Sequence, residues 1–196
     1  MKGMIVLYIL GINGSPNEKG ETYYLLNEVL RQCDGCETEI INVGKCLSTT
    51  KNPFCVNCSV PCNKSCYKGT DLETAYNKMA DADAIVFGSP VYFGSMSAQL
   101  KALFDKGRAL RGEKVFIGKP CGFVTCGASM FGGQEATIAA MHASALVYGM
   151  TILGPGSNEF DAAHLGVCAV KPAKDDSWAN KRCASLAKRI LREINK

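Results

Sequence analysis

The sequence predicts a doubly wound α/β fold, a five-stranded parallel sheet in the order 2-1-3-4-5 with helices on both faces. Three observations predict it. Apolar runs rich in β-branched residues alternate with segments of helical period along most of the chain. The runs are continuous rather than alternating with polar residues, the pattern of strands buried on both sides. There are five of them, whereas a closed barrel needs about eight.

The elements follow in order. Residues 4–12 form the first strand, ended by the turn Gly14-Ser15-Pro16-Asn17. Residues 22–31 form a helix with Tyr23, Leu26, Val29 and Leu30 on one face, and 38–43 a second, shorter strand. The helix over 71–81 places Leu72, Ala75 and Met79 on one side and begins at Asp71. A third strand at 84–88 leads to a helix over 97–110 capped by Ser97, and a fourth strand at 121–125 to a helix over 134–148. A fifth strand occupies 150–153. The last helix, 177–195, carries basic residues in its final turns, where they complement the helix dipole. This is the flavodoxin-like arrangement.

The 196 residues suit one domain, 1–196, with an insertion at 44–70 too long for an ordinary strand-to-helix connection. Hydrophobic residues at 47% and charged residues at 20% describe a globular chain, not a disordered one. A net charge of +4, evenly spread, gives no footing for nucleic acid or a membrane surface. Lys2 and the apolar run behind it have the outline of a signal peptide, but the following turn and helix fit a buried strand better. The uncharged stretch 136–156 divides at Gly149 into helix and strand rather than spanning a bilayer. The 11 cysteines, an odd number along a full-sized domain, argue against a disulfide scaffold and for a reducing cytoplasm.

In this winding a ligand crevice lies at the carboxyl ends of strands one and three. The loop 11–22 offers backbone amides near a helix start and the hydroxyls of Ser15 and Thr22, a combination suited to phosphate. It is no triphosphate loop, since Glu21 stands at the lysine position, and it lacks Gly-x-Gly-x-x-Gly. The alternative for this loop alone is a plain Gly/Pro turn and helix cap. The loop 88–97 adds Tyr92 and Phe93 among small residues, suited to a flat ring, and the loop 125–134 is rich in glycine, which lets backbone approach a ligand.

With Gly14-Ser15-Pro16 followed by Gly20-x-Thr22, and Ser89-Pro90-Val91-Tyr92-Phe93-Gly94-Ser95 running into Lys101 and Asp105, the chain resembles the NADPH-dependent FMN reductase family of flavodoxin-like proteins. The resemblance runs from residue 4 to about residue 153. It implies FMN, with Ser15, Pro16, Asn17, Gly20 and Thr22 around the phosphate. Pro90, Val91, Tyr92, Phe93, Gly94 and Ser95 would lie along the isoalloxazine, and Thr125, Cys126, Gly127, Ala128, Gly132 and Gly133 would reach its pyrimidine edge. Asp105-Lys106 stands where the family commonly has Asp-Arg. The motifs require no general acid or base, so no catalytic side chain is named. The family's dimers and tetramers imply a homodimer or homotetramer with flavin sites near subunit boundaries.

Cys55-x2-Cys58-x3-Cys62-x3-Cys66 packs four thiols into one short run, able to wrap a tetrahedral metal or a cubane cluster. Four-thiolate zinc sites usually comprise two separated Cys-x2-Cys pairs, which favours a cluster; zinc and no metal remain the alternatives. The chain looks like the iron–sulfur flavoprotein subgroup, which implies a [4Fe-4S] cluster here. That subgroup's gaps are two, two and a longer last one, against two, three and three in this chain. Of the other cysteines, Cys33 and Cys36 have redox-pair spacing but sit at a helix end, and Cys46 stands close enough to replace a ligand. Cys121 and Cys168 read as small buried hydrophobes, Cys183 as facing the core, and Cys126 as approaching the flavin. His142 and His164 match no ligand pattern.

These features predict an FMN oxidoreductase that takes electrons from a one-electron donor such as ferredoxin, through the cluster to FMN and on to an acceptor. The alternatives are a cluster-free NAD(P)H-dependent FMN or quinone reductase, and an electron carrier without a substrate of its own.

Overall fold

The computed structural model describes residues 6–158 and 161–196. Met4 and Ile5 of the expected first strand, and the basic start of the chain, lie outside them. β1 (Tyr8–Asn13), β2 (Glu37–Asn42), β3 (Ala84–Pro90), β4 (Pro120–Gly127) and β5 (Thr151–Ile152) pair in parallel in the order β2-β1-β3-β4-β5. The centre of the sheet is in register through Ile12, Phe87 and Phe123 on successive strands. Phe87 and Phe123 stack with ring centroids 5.7 Å apart.

Alternate side chains feed two core layers, as the pleat requires. Leu10, Ile12, Ile85, Phe87, Cys121 and Phe123 pack beneath α2 (Val43–Ser48), α3 (Asp71–Asp81), α4 (Ala98–Lys106) and α6 (Gln134–Val147). Ile9, Ala84, Val86, Val124 and Cys126 pack beneath α1 (Glu21–Leu30) and α7 (Ser177–Ile194). Each fully buried leucine, isoleucine or phenylalanine contributes about 1.5–3 kcal/mol of transfer free energy, which holds the central strands rigid under the loops they carry.

Four local differences from the sequence expectation have physical causes. First, the fifth strand comes in two pieces. β5 meets only Pro120 and Cys121, and an additional strand, β6 (Val167–Val170), pairs with Val124 to Gly127. Gly154-Pro155-Gly156 breaks the run between them, because proline cannot donate to a ladder and a Cβ on Gly154 would stand 2.9 Å from the His164 carbonyl. Second, the expected helix 97–110 ends at Lys106, and α5 (Arg108–Gly112) restarts it. Tyr148 donates its hydroxyl to the Phe104 carbonyl at 2.6 Å, in the space a side chain at Gly107 would need. Third, residue 43 opens α2 instead of ending β2, so the irregular part of the insertion is 49–70. Fourth, Thr70 is the cap of α3 and Asp71 lies in its first turn. Ser97 does cap α4, accepting from Leu100 N at 3.1 Å. Among the described residues no helix is long and apolar enough to cross a membrane.

Candidate functional site

Three loops leave the carboxyl ends of β1, β3 and β4 and meet on one edge. The first is fixed from both sides. Asn13, fully buried at the end of β1, accepts from Ser15 N at 3.1 Å and donates to the Asn42 carboxamide at 2.8 Å on the neighbouring strand. Gly14 N donates to Gly88 O at 2.8 Å, and Ser97 Oγ donates to Gly14 O at 2.5 Å. A Cβ at Gly14 would stand 2.6 Å from Leu100 Cβ, so this crossing needs glycine. Asn17 N donates to Ser15 Oγ at 3.1 Å, which curls the loop inward.

No side chain caps α1, which starts after Gly20 in extended geometry. Its acidic first-turn residue, Glu21, accepts from Ala173 N at 2.8 Å, across the fold. Glu18 is paired with Lys45 at 2.8 Å. The helix start thus offers free amide donors and the positive end of a dipole, with both nearby carboxylates otherwise engaged. Ser15 and Thr22 are buried at this loop, and Pro16 and Asn17 are exposed on it.

The second loop is a tight reversal. Tyr92 and Ser95 exchange backbone hydrogen bonds of 2.9 and 3.0 Å, while Phe93 (φ 50°) and Gly94 (φ 70°) are both left-handed, which leaves Phe93 projecting into solvent. Val91 N donates to Cys126 O at 3.2 Å, tying this loop to β4. The third loop touches the second through Gly133 (φ +100°), where a Cβ would stand 3.0 Å from Gly94 Cα. Ala128 and Gly132 are exposed beside it, as is Phe131.

Two of the named positions present backbone rather than side chain. Thr125 is fully buried and donates its hydroxyl to Ser89 O at 2.7 Å. Cys126 packs into the α1/α7 core layer, where burial first, and then the charges of Glu21 and Asp176, push its thiol up to about 12. It stays a protonated thiol at neutral pH. Gly127 contributes its carbonyl to Lys171 N at 2.9 Å.

The cysteine segment 49–70 lies against α4 and α5. Cys58 is exposed, and Cys55, Cys62 and Cys66 are half-buried; all 11 cysteines are free. No three cysteine, histidine or acidic side chains among the described residues converge on a metal-sized point. Their surroundings nevertheless suit an anionic group. Cys55 borders a cleft of about 540 Å³ and Cys62 one of about 410 Å³, and Arg108 and Arg111 line both. The Tyr67 hydroxyl is buried with no hydrogen-bond partner, near enough to Cys62 and Cys66 that their charge adds to burial in raising its pKa. Four thiols, two guanidiniums and an unpaired hydroxyl form a donor set that fits a negatively charged thiolate-bound centre. Drawing the thiols together remains the work of the loop. Pro53 and Phe54 share a third cleft, about 390 Å³, with Ala98 and Gln99, so the segment borders the same first turn of α4 that Ser97 ties to Gly14.

The remaining cysteines fall outside this arrangement. Cys46 is buried from α2 into the core, so it does not stand among the ligand candidates. Burial pushes Cys33 up to about 12 and raises Cys36, which leaves neither as an activated thiolate.

Lys106 is an anchoring residue that spacing did not reveal. It is 1% exposed, and its Nζ donates to the Asn52 carbonyl at 2.7 Å, gripping the cysteine segment at its start. The signal available was a cation on the apolar face of α4, beside Ala102, Leu103 and Phe104. A hydrogen bond from a charged donor is worth about 1.5–3 kcal/mol, so Lys106→Met should speed proteolytic cleavage within 49–70 about tenfold or more. Thr50 Oγ1 still serves Asn52 O at 3.1 Å, so the global melting temperature should hardly move. Unchanged cleavage would show that the lysine does not anchor the segment.

The family model of the NADPH-dependent FMN reductases matches residues 7–164. An iron-sulfur flavoprotein of Methanocaldococcus jannaschii is 36% identical over 194 residues, 95% of this chain and 96% of that protein. One from Methanosarcina thermophila is 30% identical over 186 residues, 93% of this chain and 92% of that one. A WrbA-like flavodoxin from Agrobacterium tumefaciens superposes with a TM-score of 0.71 at 16% identity, covering 97% of this chain and 98% of that one. Winding, loops and family match agree: the chain belongs to the NADPH-dependent FMN reductases, in their iron–sulfur flavoprotein subgroup, and is an FMN-dependent oxidoreductase.

Proposed function

We propose that this oxidoreductase pairs FMN with a [4Fe-4S] cluster on Cys55, Cys58, Cys62 and Cys66. It would pass electrons from a ferredoxin-like one-electron donor through the cluster to FMN and on to an acceptor. The observation that carries this reading is the cysteine segment, with Arg108, Arg111 and the unpaired Tyr67 hydroxyl around it, lodged beside the α4 turn that anchors the first crevice loop. When bound, FMN supplies one- and two-electron chemistry and the cluster single-electron transfer.

The chain's residues provide binding and orientation. The free amides of α1, with Ser15, Asn17, Gly20 and Thr22, would hold the phosphate. Pro90, Val91 and the Tyr92–Ser95 reversal would lie along one side of the ring system and keep water from it. Backbone from Thr125 to Ala128, with Gly132 and Gly133, would border its polar edge. No side chain is assigned a proton transfer. We place this chemistry in one domain, in the cytoplasm, within a homodimer or homotetramer. The projecting Phe93, Met130 and Phe131 at the crevice mouth support such an assembly.

The nicotinamide dependence in the family's description favours a second reading, a NAD(P)H-dependent FMN or quinone reductase with zinc or no metal on this segment. Anaerobic purification separates the two. The first expects about four iron and four sulfide per chain beside FMN, with rapid reduction by ferredoxin. Stoichiometric zinc, or no metal, together with steady NADPH turnover on a quinone, would overturn it. Reduction by ferredoxin without turnover of any acceptor would mark a carrier.

A further inference from the structure

Tyr67 is the last residue of the cysteine segment that reaches the core. It is 2% exposed, and its backbone is locked by Tyr67 N to Lys64 O at 3.1 Å and Thr70 N to Tyr67 O at 3.1 Å. Its ring meets Tyr76 edge-on with centroids 5.0 Å apart. Tyr76 donates its own hydroxyl to Leu103 O at 2.6 Å and Tyr148 donates to Phe104 O, so both neighbouring phenols are satisfied. Only the Tyr67 hydroxyl in this aromatic group has no partner. A buried unpaired hydroxyl costs about 1–3 kcal/mol, and a fold does not retain one at a fixed position without return. Cys66, the residue before Tyr67, packs against the same core layer, and the sulfurs of Cys66 and Cys62 are acceptors whose charge bears on this phenol.

We propose that Tyr67 is a positioning residue for the cluster: its hydroxyl donates a hydrogen bond to the sulfur of Cys62 or Cys66 once these ligate iron, and so raises the cluster's reduction potential. The inference rests on the cluster reading above. A hydrogen bond to a ligand sulfur stabilises the reduced, more negative state over the oxidised one, which is among the main controls on such potentials. The nearby guanidiniums of Arg108 and Arg111 act in the same direction, but Tyr67 is the buried one, its ring held in place by the core.

The test uses Tyr67→Phe, purified anaerobically with wild-type protein, and three readouts. Equilibrium redox titration followed by electron paramagnetic resonance should show the cluster harder to reduce. At a fixed potential the ratio of reduced to oxidised cluster should fall about tenfold, equal to about 59 mV for a one-electron couple. The FMN titration should not move. Thermal unfolding of the iron-stripped chains should be equal, or favour the variant, since the hydroxyl removed there has no partner. Failure of the variant to load iron, with equal stability of the stripped chains, also supports the assignment. An unchanged potential at full iron and sulfide would overturn it while leaving the cluster reading intact. A stripped variant that melts well below wild type would likewise overturn it, by revealing a structural role. Wild-type protein that binds no iron would remove both.

Discussion

If the proposed cluster sits on this segment, Cys58→Ser should abolish iron and sulfide binding and leave FMN in place. Cys58 is the exposed member of the set, so its replacement removes a ligand without touching either core layer. Thiolate is the ligand that cubane iron requires, and one missing corner opens the cluster to solvent and loss. The expected result for anaerobic Cys58→Ser is iron and acid-labile sulfide near background, unchanged FMN per chain and an unchanged melting temperature of the stripped protein. Reduction by a ferredoxin-type donor should slow by at least about tenfold, because the proposed entry point is removed. Full iron content in the variant would remove Cys58 from the ligand set, and Cys46 is too buried in α2 to have replaced it.

The second large effect is alkaline unfolding. Burial pushes the thiols of Cys33, Cys121, Cys126 and Cys168 up to about 12 and raises Cys183 as well, against an ordinary value near 9. The folded state therefore keeps protons that the unfolded chain gives up. The stability linked to them is complete below about pH 9 and is lost as the pH rises from there toward 12. Each such group removes about 1.4 kcal/mol per pH unit across that window, and several act together. The phenols of Tyr76 and Tyr148, raised by the same burial, add to the slope at the upper end. Urea midpoints measured anaerobically at about pH 8, 9.5 and 10.5 should be level at first and then drop steeply. Cys121→Val should flatten the drop by one group's share. A level midpoint through 10.5 would mean that these thiols are solvated after all.

Much of this was legible in the chain. Continuous apolar strands at β1, β3 and β4 can belong only to a sheet covered on both faces, and that alone leaves few windings. The residues named for the three loops do come together on one edge, because the winding brings those strand ends to one side. The omissions were elements too short to show a period: α2 is six residues with an internal glycine, and β6 is four. The roles of Lys106 and Tyr67 were out of reach for another reason. Each depends on a partner far along the chain or on the lack of one, Asn52 at 54 positions for the lysine and no hydrogen bond for the phenol. Spacing cannot report either.

The nine residues of α4 separate two fastenings. At its start Ser97 clasps the Gly14 carbonyl; at its end Lys106 clasps that of Asn52. A helix of that length is a strut of about 13 Å that scarcely compresses. It therefore works as a gauge block, setting the span between the first crevice loop and the cysteine segment independently of what either one holds. Inserting or deleting a residue in α4 would rotate one fastening away from the other by about 100° and break the alignment without altering any of the four cysteines.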